Sequence, residues 1–442
     1  MLQTTARPAR AVFVRGAAGT GVRAGRVACS NRALPRGTRA LSTTVFQPIA
    51  ASERIATLDV LRGLALLGIL LMNIEAFSGP LDLSFTGIDP HWQGIDRWAD
   101  GFVYIFVQGK FFTLFSLLFG AGFAVMAQRA EVAGRDFTRF YLRRSLALLG
   151  IGLLHAVLLW SGDILTTYAL LSFVLLAFRE APRNWLPVLG AAAYLGAAAL
   201  MLLLGMLIAM MPADAQAGQA ASALVDIAAQ RQAYGHGTYL QAVAQRLADL
   251  RSSLGALLIV GPQVLGMFLI GAWFARSGAI AQPQQYRRLF ARLRWVAWPA
   301  GLLVMLLSVR LLASIAPGRF DMQTATAYAL TALAGLLMCL GYLAWGVRWS
   351  ARLQWLAPAG RMALSNYLVQ SLVCTLVFYG YGLGRFEQMG RAWQLLFALV
   401  LFLVQVVVSG WWLQRFRFGP VEWLWRAATY LQVPPMRRDA RG

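Results

Sequence analysis

Apolar runs of roughly bilayer-spanning length recur through most of the chain, and they restrict its fold more than any other feature. A helix needs about 20 predominantly apolar residues to cross the hydrocarbon core of a membrane. The runs cover residues 56–78, 98–126, 145–161, 163–178, 184–211, 254–275, 295–314, 324–347, 362–381 and 392–414. Since 59% of the 442 residues are hydrophobic and only 13% are charged, we predict an all-α polytopic membrane protein with about ten transmembrane helices.

The distribution of arginine predicts how these helices are oriented. Alternate loops, together with the C-terminal tail, carry 21 arginines, whereas the opposite loops carry 7. Because cytoplasmic loops are enriched in basic residues, we predict that both termini are cytoplasmic. The net charge of +22 comes from arginines in short loops between apolar runs, where the positive-inside rule explains them. We therefore expect a lipid bilayer, and no nucleic acid, as the partner.

Three regions differ in composition. Residues 1–50 are rich in arginine, contain no acidic residue and cannot form a hydrophobic core. They fit a targeting peptide, a disordered cytoplasmic arm or a mis-assigned start codon, and we favour the last because the apolar pattern begins at Ile55. The other regions are an N-terminal transmembrane region, 51–275, with outer loops at 79–97 and 212–253, and a C-terminal transmembrane region, 276–435. We expect a surface helix in the longer outer loop.

Polar residues in the first apolar run mark a candidate binding site. At 100° per residue, Arg62 and Asn73 lie within about 60° of Asp59, so the three side chains share one helix face. A charge in hydrocarbon is costly, so this face should turn toward protein or water. We predict either a substrate site along this face or an ion pair between Asp59 and Arg62 that fixes the helix at the membrane edge.

Other polar groups near the outer ends of the predicted helices are candidates for catalysis. His155 lies in the third run, and the tight turn at 161–163 brings Asp163 back toward it. A histidine beside a carboxylate can act as a general base, and a hydrogen bond that only joins helices is the alternative. Lys110 either extends its amine to the outer interface or meets Glu75 as a buried partner.

Two further patterns concern cysteine and amide side chains, and for the amide pair we favour packing over a substrate site. Cys29, Cys339 and Cys374 lie far apart, so their spacing indicates neither a disulfide nor a metal site. Asn366 and Gln370 lie one helical turn apart, in line with Cys374. This spacing is typical of polar side chains that join membrane helices.

Five motifs carry a resemblance to a known family. In chain order they are TLDVLRGLALLGILLMNI, GKFFTLFSLLFGAGFAVM, GDILTTYALL, GRMALSNYLVQSLVCTLVFYGYGLG and FRFGPVEWLWRAATY. Together they resemble the bacterial YeiB family of inner-membrane proteins, over about residues 52–432. The resemblance implies a bacterial inner (plasma) membrane location and a C-terminal half that is a domain of unknown function. It implies no activity, since that family has no settled one.

The LDVLRG opening is also similar to that of the transmembrane acyltransferase superfamily, which includes heparan-alpha-glucosaminide N-acetyltransferase and the acyltransferase family 3 proteins. Family 3 proteins have a catalytic histidine where this chain has Asn73, so that role does not transfer. In the glucosaminide branch the catalytic histidine lies in the outer loop before the second span. His91 is the residue that would match, and a solvated loop histidine is the alternative.

The second resemblance implies transfer of an acyl group from cytoplasmic acyl-CoA, as donor substrate, to an envelope glycan or lipid outside the membrane. No bound cofactor is implied. Arg135, Arg139, Arg143 and Arg144 lie close together in the sequence and are candidates to hold the CoA phosphates, although the positive-inside rule explains them equally well. The alternatives are a small-solute carrier or exporter, which the lack of an internal repeat disfavours, and a non-catalytic structural membrane protein.

Overall fold

The structure, a computed structural model, describes residues 56–134 and 136–438, and these residues form helices joined by turns and loops. The predicted arm at 1–50 and the candidate phosphate ligand Arg135 lie outside the described residues. The helices are α1 Ala56–Ser78, α2 Gly94–Phe102, α3 Phe111–Val132, α4 Phe137–Leu158, α5 Leu165–Leu176, α6 Leu186–Ala209, α7 Ala213–Gln230, α8 Tyr239–Arg276, α9 Arg287–Arg292, α10 Trp298–Leu311, α11 Met322–Trp349, α12 Ala357–Arg361, α13 Ala363–Phe378, α14 Arg391–Arg415 and α15 Pro420–Tyr430.

The described helices confirm the predicted polytopic all-α fold. Eight helical segments are long and apolar enough to cross a membrane, and a ninth span results if α12 and α13, which meet at a bend of 78°, are counted together. The count differs from the predicted ten at the run 163–178. That run forms only α5, which has 12 residues and is therefore about 18 Å long.

Although α5 is short, the segments that flank it lie at opposite ends of the bundle. Arg276, the last residue of α8, donates to the Ala181 carbonyl at 2.8 Å, just after α5. At the start of α8, the Tyr239 hydroxyl donates to the Leu158 carbonyl at 3.0 Å, just before α5. Because α8 runs the length of the bundle, α5 and its flanking turns return the chain from one end to the other, as the sequence predicts.

The predicted outer loop 212–253 is more ordered than expected. Its first half contains α7, a largely exposed helix that matches the expected surface helix. Its second half belongs to α8, which begins well before the predicted span at 254. Thr238 starts α8 with a capping box, in which its side chain accepts from the Gln241 backbone and the Gln241 side chain accepts from the Thr238 backbone.

The interior of the bundle is built around close helix crossings. α1 packs against α3, α11, α12, α13 and α14. α3 and α8 approach so closely that a side chain at Gly120 would overlap the Phe268 carbonyl, and one at Gly271 would overlap the Leu117 carbonyl. Small residues at such crossings let membrane helices associate through backbone contact.

The two ends of the bundle differ in charge. We call one the arginine-rich end; it contains the start of α1, the α3–α4, α5–α6, α8–α10 and α11–α12 connections, and α15. We call the other the acidic end; it contains the connections at 79–93, 159–164, 210–238, 312–321 and 379–390 together with α2. The positive-inside rule predicts that the arginine-rich end is cytoplasmic.

Candidate functional site

Three side chains, one from α4, one from the turn between α4 and α5, and one from α13, form a continuous hydrogen-bonded chain inside the bundle. His155 Nδ1 lies 2.8 Å from Asp163 Oδ1, and His155 Nε2 lies 2.8 Å from Ser371 Oγ. The side chains of His155 and Asp163 are each 1% exposed, and Ser371 is fully buried. The tight turn thus brings His155 and Asp163 together as the sequence predicts, and the fold adds Ser371, which sequence reasoning missed.

Local structure holds each of these three hydrogen-bonded side chains in place. His155 lies in the last turn of α4. Asp163 Oδ2 accepts from the Thr166 backbone N–H at 2.7 Å, so this carboxylate also satisfies a free donor in the first turn of α5. Ser371 lies one turn after Tyr367 on α13, and the Tyr367 ring centroid is 5.1 Å from that of His155. The imidazole is therefore fixed from both sides and by a ring packed against it.

The order of Asp163, His155 and Ser371 determines what chemistry this hydrogen-bonded series can perform. An ionised carboxylate only accepts hydrogen bonds, so the hydrogen between His155 and Asp163 belongs to Nδ1. In the neutral form of the imidazole, His155 Nε2 is then left as an acceptor for the Ser371 hydroxyl, whose other acceptor, the Tyr367 carbonyl, is farther away at 3.4 Å. Carboxylate, imidazole and hydroxyl in this order are the groups that make a serine nucleophilic in acyl transfer.

A second buried cluster at the acidic end surrounds Arg391. Its guanidinium, 1% exposed, donates to Glu75 Oε2 at 3.0 Å and to Asp100 Oδ1 at 2.9 Å. A third hydrogen bond goes to Gln394 Oε1 at 2.9 Å. A buried cation needs such partners to offset the loss of hydration. The cluster links the end of α1 to α2 and to the start of α14.

Both predictions for Lys110 are wrong. The side chain is buried, so its amine does not reach the outer interface. It does not meet Glu75 either, because Glu75 is held by Arg391. Lys110 Nζ instead donates to the Tyr104 carbonyl at 2.8 Å and lies 3.4 Å from Met305 Sδ. Tyr104 belongs to the π-helical turn Val103–Val107, where the regular α-helical bonding of α2 stops and carbonyls become accessible to other donors.

Asp249, on α8, is the centre of a third cluster that sequence reasoning missed. It accepts from the Tyr234 hydroxyl at 2.5 Å and from the Ser161 hydroxyl at 2.9 Å. Burial raises the pKa of Tyr234 well above its usual range, so this phenol stays protonated and acts as a donor. The fully buried Arg246, one turn earlier, donates to the Tyr381 hydroxyl at 2.8 Å. The i, i+3 spacing of Arg246 and Asp249 was the available signal, but the segment was interpreted as an outer loop with a surface helix, whose polar side chains would face water.

The polar face of α1 forms the predicted ion pair. Arg62 donates to Asp59 Oδ1 at 2.7 Å, with the two side chains 29% and 13% exposed. Asn73 is buried farther along the same helix. The pair therefore lies between full burial and solvent at the arginine-rich end. A substrate role for Asp59, Arg62 and Asn73 stays a prediction.

His91 lies in the exposed loop before α2. Its side chain is 91% exposed, and its Nδ1 lies 2.7 Å from Asp89 Oδ1. An imidazole beside a carboxylate is thus formed here as well, but it is solvated and not enclosed. Its catalytic role, implied by the acyltransferase resemblance, stays a prediction.

The described candidate ligands for CoA phosphates, Arg139, Arg143 and Arg144, lie in the first turns of α4 and have different environments. Arg139 is exposed and lies 3.9 Å from Asp136. Arg143 is half-buried. Arg144 lies 3.6 Å above the Trp425 ring of α15 in a cation–π contact. Their role in holding CoA phosphates stays a prediction.

Polar side chains join the last long helices. Asn366 Nδ2 donates to Ser409 Oγ at 2.9 Å, and Gln370 Nε2 donates to Gln405 Oε1 at 2.8 Å. The packing role that the sequence predicts for Asn366 and Gln370 fits these contacts between α13 and α14.

Glu422, from the FRFGPVEWLW motif, fixes the start of α13. Its Oε1 accepts from the backbone N–H groups of Leu364 at 2.8 Å and Ser365 at 3.0 Å, and its Oε2 accepts from the Ser365 hydroxyl at 2.5 Å. Burial raises the pKa of Glu422, and these hydrogen bonds act in the opposite direction. A carboxylate near a helix N-terminus is a stabilising arrangement, and here it ties α15 to the helix that carries Ser371.

Comparison with known proteins gives the relatives of this chain. Residues 274–432 match the family described as "Protein of unknown function (DUF418)". The uncharacterized protein YxaH of Bacillus subtilis (strain 168) is 37% identical over 413 residues, which cover 90% of this chain and 99% of that protein. The uncharacterized protein YeiB of Escherichia coli (strain K12) is 34% identical over 409 residues, covering 87% and 98%.

A third relative, the uncharacterized 39.9 kDa protein in the amylase 3′ region of Bacillus acidopullulyticus, is 27% identical over 399 residues, covering 88% of this chain and 98% of that protein. The similarity therefore extends over nearly the full length of each relative, and it includes both the helices that precede the DUF418 region and that region itself. The chain belongs to the YeiB- and YxaH-type family of multi-pass membrane proteins, whose C-terminal part is the DUF418 domain.

Proposed function

We propose that the protein is an acyltransferase of the bacterial inner membrane, which moves an acyl group from cytoplasmic acyl-CoA to a hydroxyl or amine of an envelope glycan or lipid outside. One observation carries the proposal: the buried hydrogen-bonded chain of Asp163, His155 and Ser371, with separations of 2.8 Å. The resemblance of the LDVLRG opening to transmembrane acyltransferases supports it independently.

In the first half-reaction Ser371 Oγ attacks the thioester carbonyl of acyl-CoA, and His155 Nε2 takes the hydroxyl proton. The C–S bond breaks, the proton passes to the departing thiolate, and the acyl group is left as an ester on Ser371. In the second half-reaction the acceptor gives its proton to His155 and attacks this ester. Ser371 recovers the proton and leaves. Asp163 stays ionised and holds the imidazole in the required tautomer.

The position of Ser371 suits a donor and an acceptor that arrive from opposite sides. It lies near the middle of α13, which runs from the bend at the arginine-rich end to the loop 379–390 at the acidic end. In this state Ser371 is fully buried. The cycle therefore requires an open state in which α13 separates from the end of α4 to admit the thioester.

The experiment incubates the purified protein with acetyl-CoA and longer acyl-CoA, alone and with envelope glycans and lipids. We expect release of free CoA thiol and, without acceptor, a covalent acyl group on the peptide that contains Ser371, detected by mass spectrometry. Ser371→Ala should lower the turnover about 10³-fold or more. The matched control is Ser409→Ala, because Ser409 is also fully buried and also makes one hydrogen bond between helices.

A second candidate function rests on a different observation. The cluster of Arg391 with Glu75 and Asp100 places ionisable groups inside the bundle, which is also a feature of carriers and exporters. Absence of acyl transfer across the whole donor and acceptor panel, together with solute uptake by reconstituted vesicles, would replace the acyltransferase with a carrier.

A further inference from the structure

A cavity of about 580 Å³ lies at the arginine-rich end, between α9 with the loop before it and the end of α11. Four arginines line it: Arg287, Arg288, Arg294 and Arg348. None of them belongs to the loop that the sequence suggests for CoA phosphates. Two buried apolar side chains, Phe290 and Val347, also line the cavity and are part of the hydrophobic core below it.

The positive charge of this cavity is not compensated by the protein. None of the four arginines forms a salt bridge with a carboxylate in the described part of the chain. Between Asp249 and Glu387 the sequence contains a single acidic residue, Asp321, and this one lies at the acidic end. Neighbouring cations without counter-charges repel one another, and an anion among them would remove that repulsion.

The arrangement distinguishes this cavity from a set of scattered basic residues. The positive-inside rule explains why arginines lie at one end of the bundle, but it does not require that four of them share a cavity with a buried phenylalanine. The guanidinium group binds phosphate oxygens in pairs, which makes arginine the preferred residue for recognising phosphate. A cavity with four arginines and apolar walls therefore suits phosphate groups that are attached to an apolar body.

Tryptophans indicate the depth at which the cavity lies. The guanidinium of Arg294 lies 5.7 Å from the ring centroid of Trp345, and the Trp345 ring packs against those of Trp295 and Trp349. Trp295 and Trp349 are exposed. Exposed tryptophans of membrane proteins concentrate at the level of the lipid headgroups, so a ligand in the cavity meets the bilayer surface.

We propose that this cavity is a binding site for a ligand that carries two or more phosphate charges next to an apolar group. Two sources provide this chemistry, the headgroup of a multiply charged anionic phospholipid and the phosphates of an acyl-coenzyme A. The inference does not depend on acyl transfer by Ser371, because an anionic lipid would occupy the cavity equally in a carrier or a structural protein.

The test uses the purified full-length protein in detergent, with cardiolipin, coenzyme A and phosphatidylcholine as separate probes in a direct binding measurement. The variant is Arg287→Gln combined with Arg288→Gln. Both residues are exposed, so their replacement should leave the melting temperature unchanged. The control is Arg292→Gln, since Arg292 is an exposed arginine of the same helix that does not line the cavity. Arg348→Gln is a second variant from the opposite wall.

We expect cardiolipin or coenzyme A to bind, phosphatidylcholine not to bind, and the affinity to fall as salt is added. The double variant should weaken binding roughly tenfold or more, Arg348→Gln less, and the control not at all. Binding of cardiolipin alone identifies a lipid site and is compatible with failure of the acyltransferase proposal, whereas binding of coenzyme A identifies a donor site. Equal affinity of the double variant and the control, or no binding of either charged probe, would overturn the inference.

Discussion

At the acidic end of the bundle Arg391 is 1% exposed and contacts two carboxylates, whereas at the arginine-rich end Arg287, Arg288 and Arg348 are exposed and lack a carboxylate partner among the described residues. The same residue type therefore has two roles. Where arginine is buried with carboxylate partners, it holds helices together, and its removal leaves those carboxylates without a counter-charge. Where it is exposed, we expect it to set the orientation in the membrane and to attract anions, and its removal should cost the fold little.

The largest effect that we expect concerns the assignment of the two ends to sides of the membrane. A reporter that is active only in the cytoplasm should be active when fused after Arg438 and inactive when inserted at Gly218, an exposed position in α7 at the acidic end. The reason is the asymmetry of 21 arginines against 7. Activity at Gly218 in intact cells would reverse the two ends.

The next effect tests whether the Arg391 cluster carries stability. Arg391→Leu should lower the free energy of unfolding by about 3 to 5 kcal/mol, because the buried Asp100 and the partly buried Glu75 would both lose their counter-charge. Unfolding in mixed micelles measures this. Arg385→Leu, an exposed arginine in the preceding loop, is the control and should change the free energy by less than about 0.5 kcal/mol. Similar values for both variants would mean that the cluster is hydrated.

The two histidine–carboxylate pairs at the acidic end provide a smaller contrast. His155→Ala should cost about 1 to 3 kcal/mol, since Asp163 and Ser371 both lose a buried partner, and it should lower acyl transfer by roughly 10² to 10⁴-fold. His91→Ala should leave the free energy of unfolding nearly unchanged, because the His91 side chain is 91% exposed. If instead His91→Ala abolishes acyl transfer and His155→Ala only destabilises the protein, the loop histidine is the catalytic base.

The smallest effect concerns Asp59 and Arg62, the paired charges of the arginine-rich end. Their side chains are 13% and 29% exposed, so the pair is only partly desolvated. Arg62→Ala should cost about 1 kcal/mol, and adding Asp59→Ala should recover part of this loss because no charge is then stranded. A double-mutant cycle on the free energy of unfolding measures the coupling. Additive losses would show that each charge is independently hydrated.

Sequence reasoning predicted the helical bundle because a bilayer requires long apolar runs, and these runs are visible without any tertiary information. It was less accurate where polar residues are buried. The first part of α8 contains Arg246 and Asp249, so it was assigned to an outer loop with a surface helix, although both side chains are paired inside the protein. Hydropathy alone cannot distinguish a polar residue in water from one that is satisfied by partners.

The same limit applies to the candidate site. His155 and Asp163 are eight residues apart across a tight turn, so their contact followed from local geometry. Ser371 is 216 residues from His155, and its surroundings in the sequence are those of an ordinary apolar helix. Arg391 lies just outside the last predicted span, which is why Glu75 was assigned to Lys110. In both cases the missing information was which distant helices are neighbours.

The hairpin of α4 and α5 has a consequence for the assembly of the protein during synthesis. Its tip contains His155 and Asp163, and since the acidic end is predicted to lie outside, we expect the tip to cross hydrocarbon before the ribosome has made the C-terminal helices. A lone carboxylate crosses lipid at considerable cost, but these two groups can hydrogen-bond to each other within the hairpin as soon as it emerges. We therefore expect the nascent chain to form the His155–Asp163 pair early, and Ser371 to join it only when α13 docks.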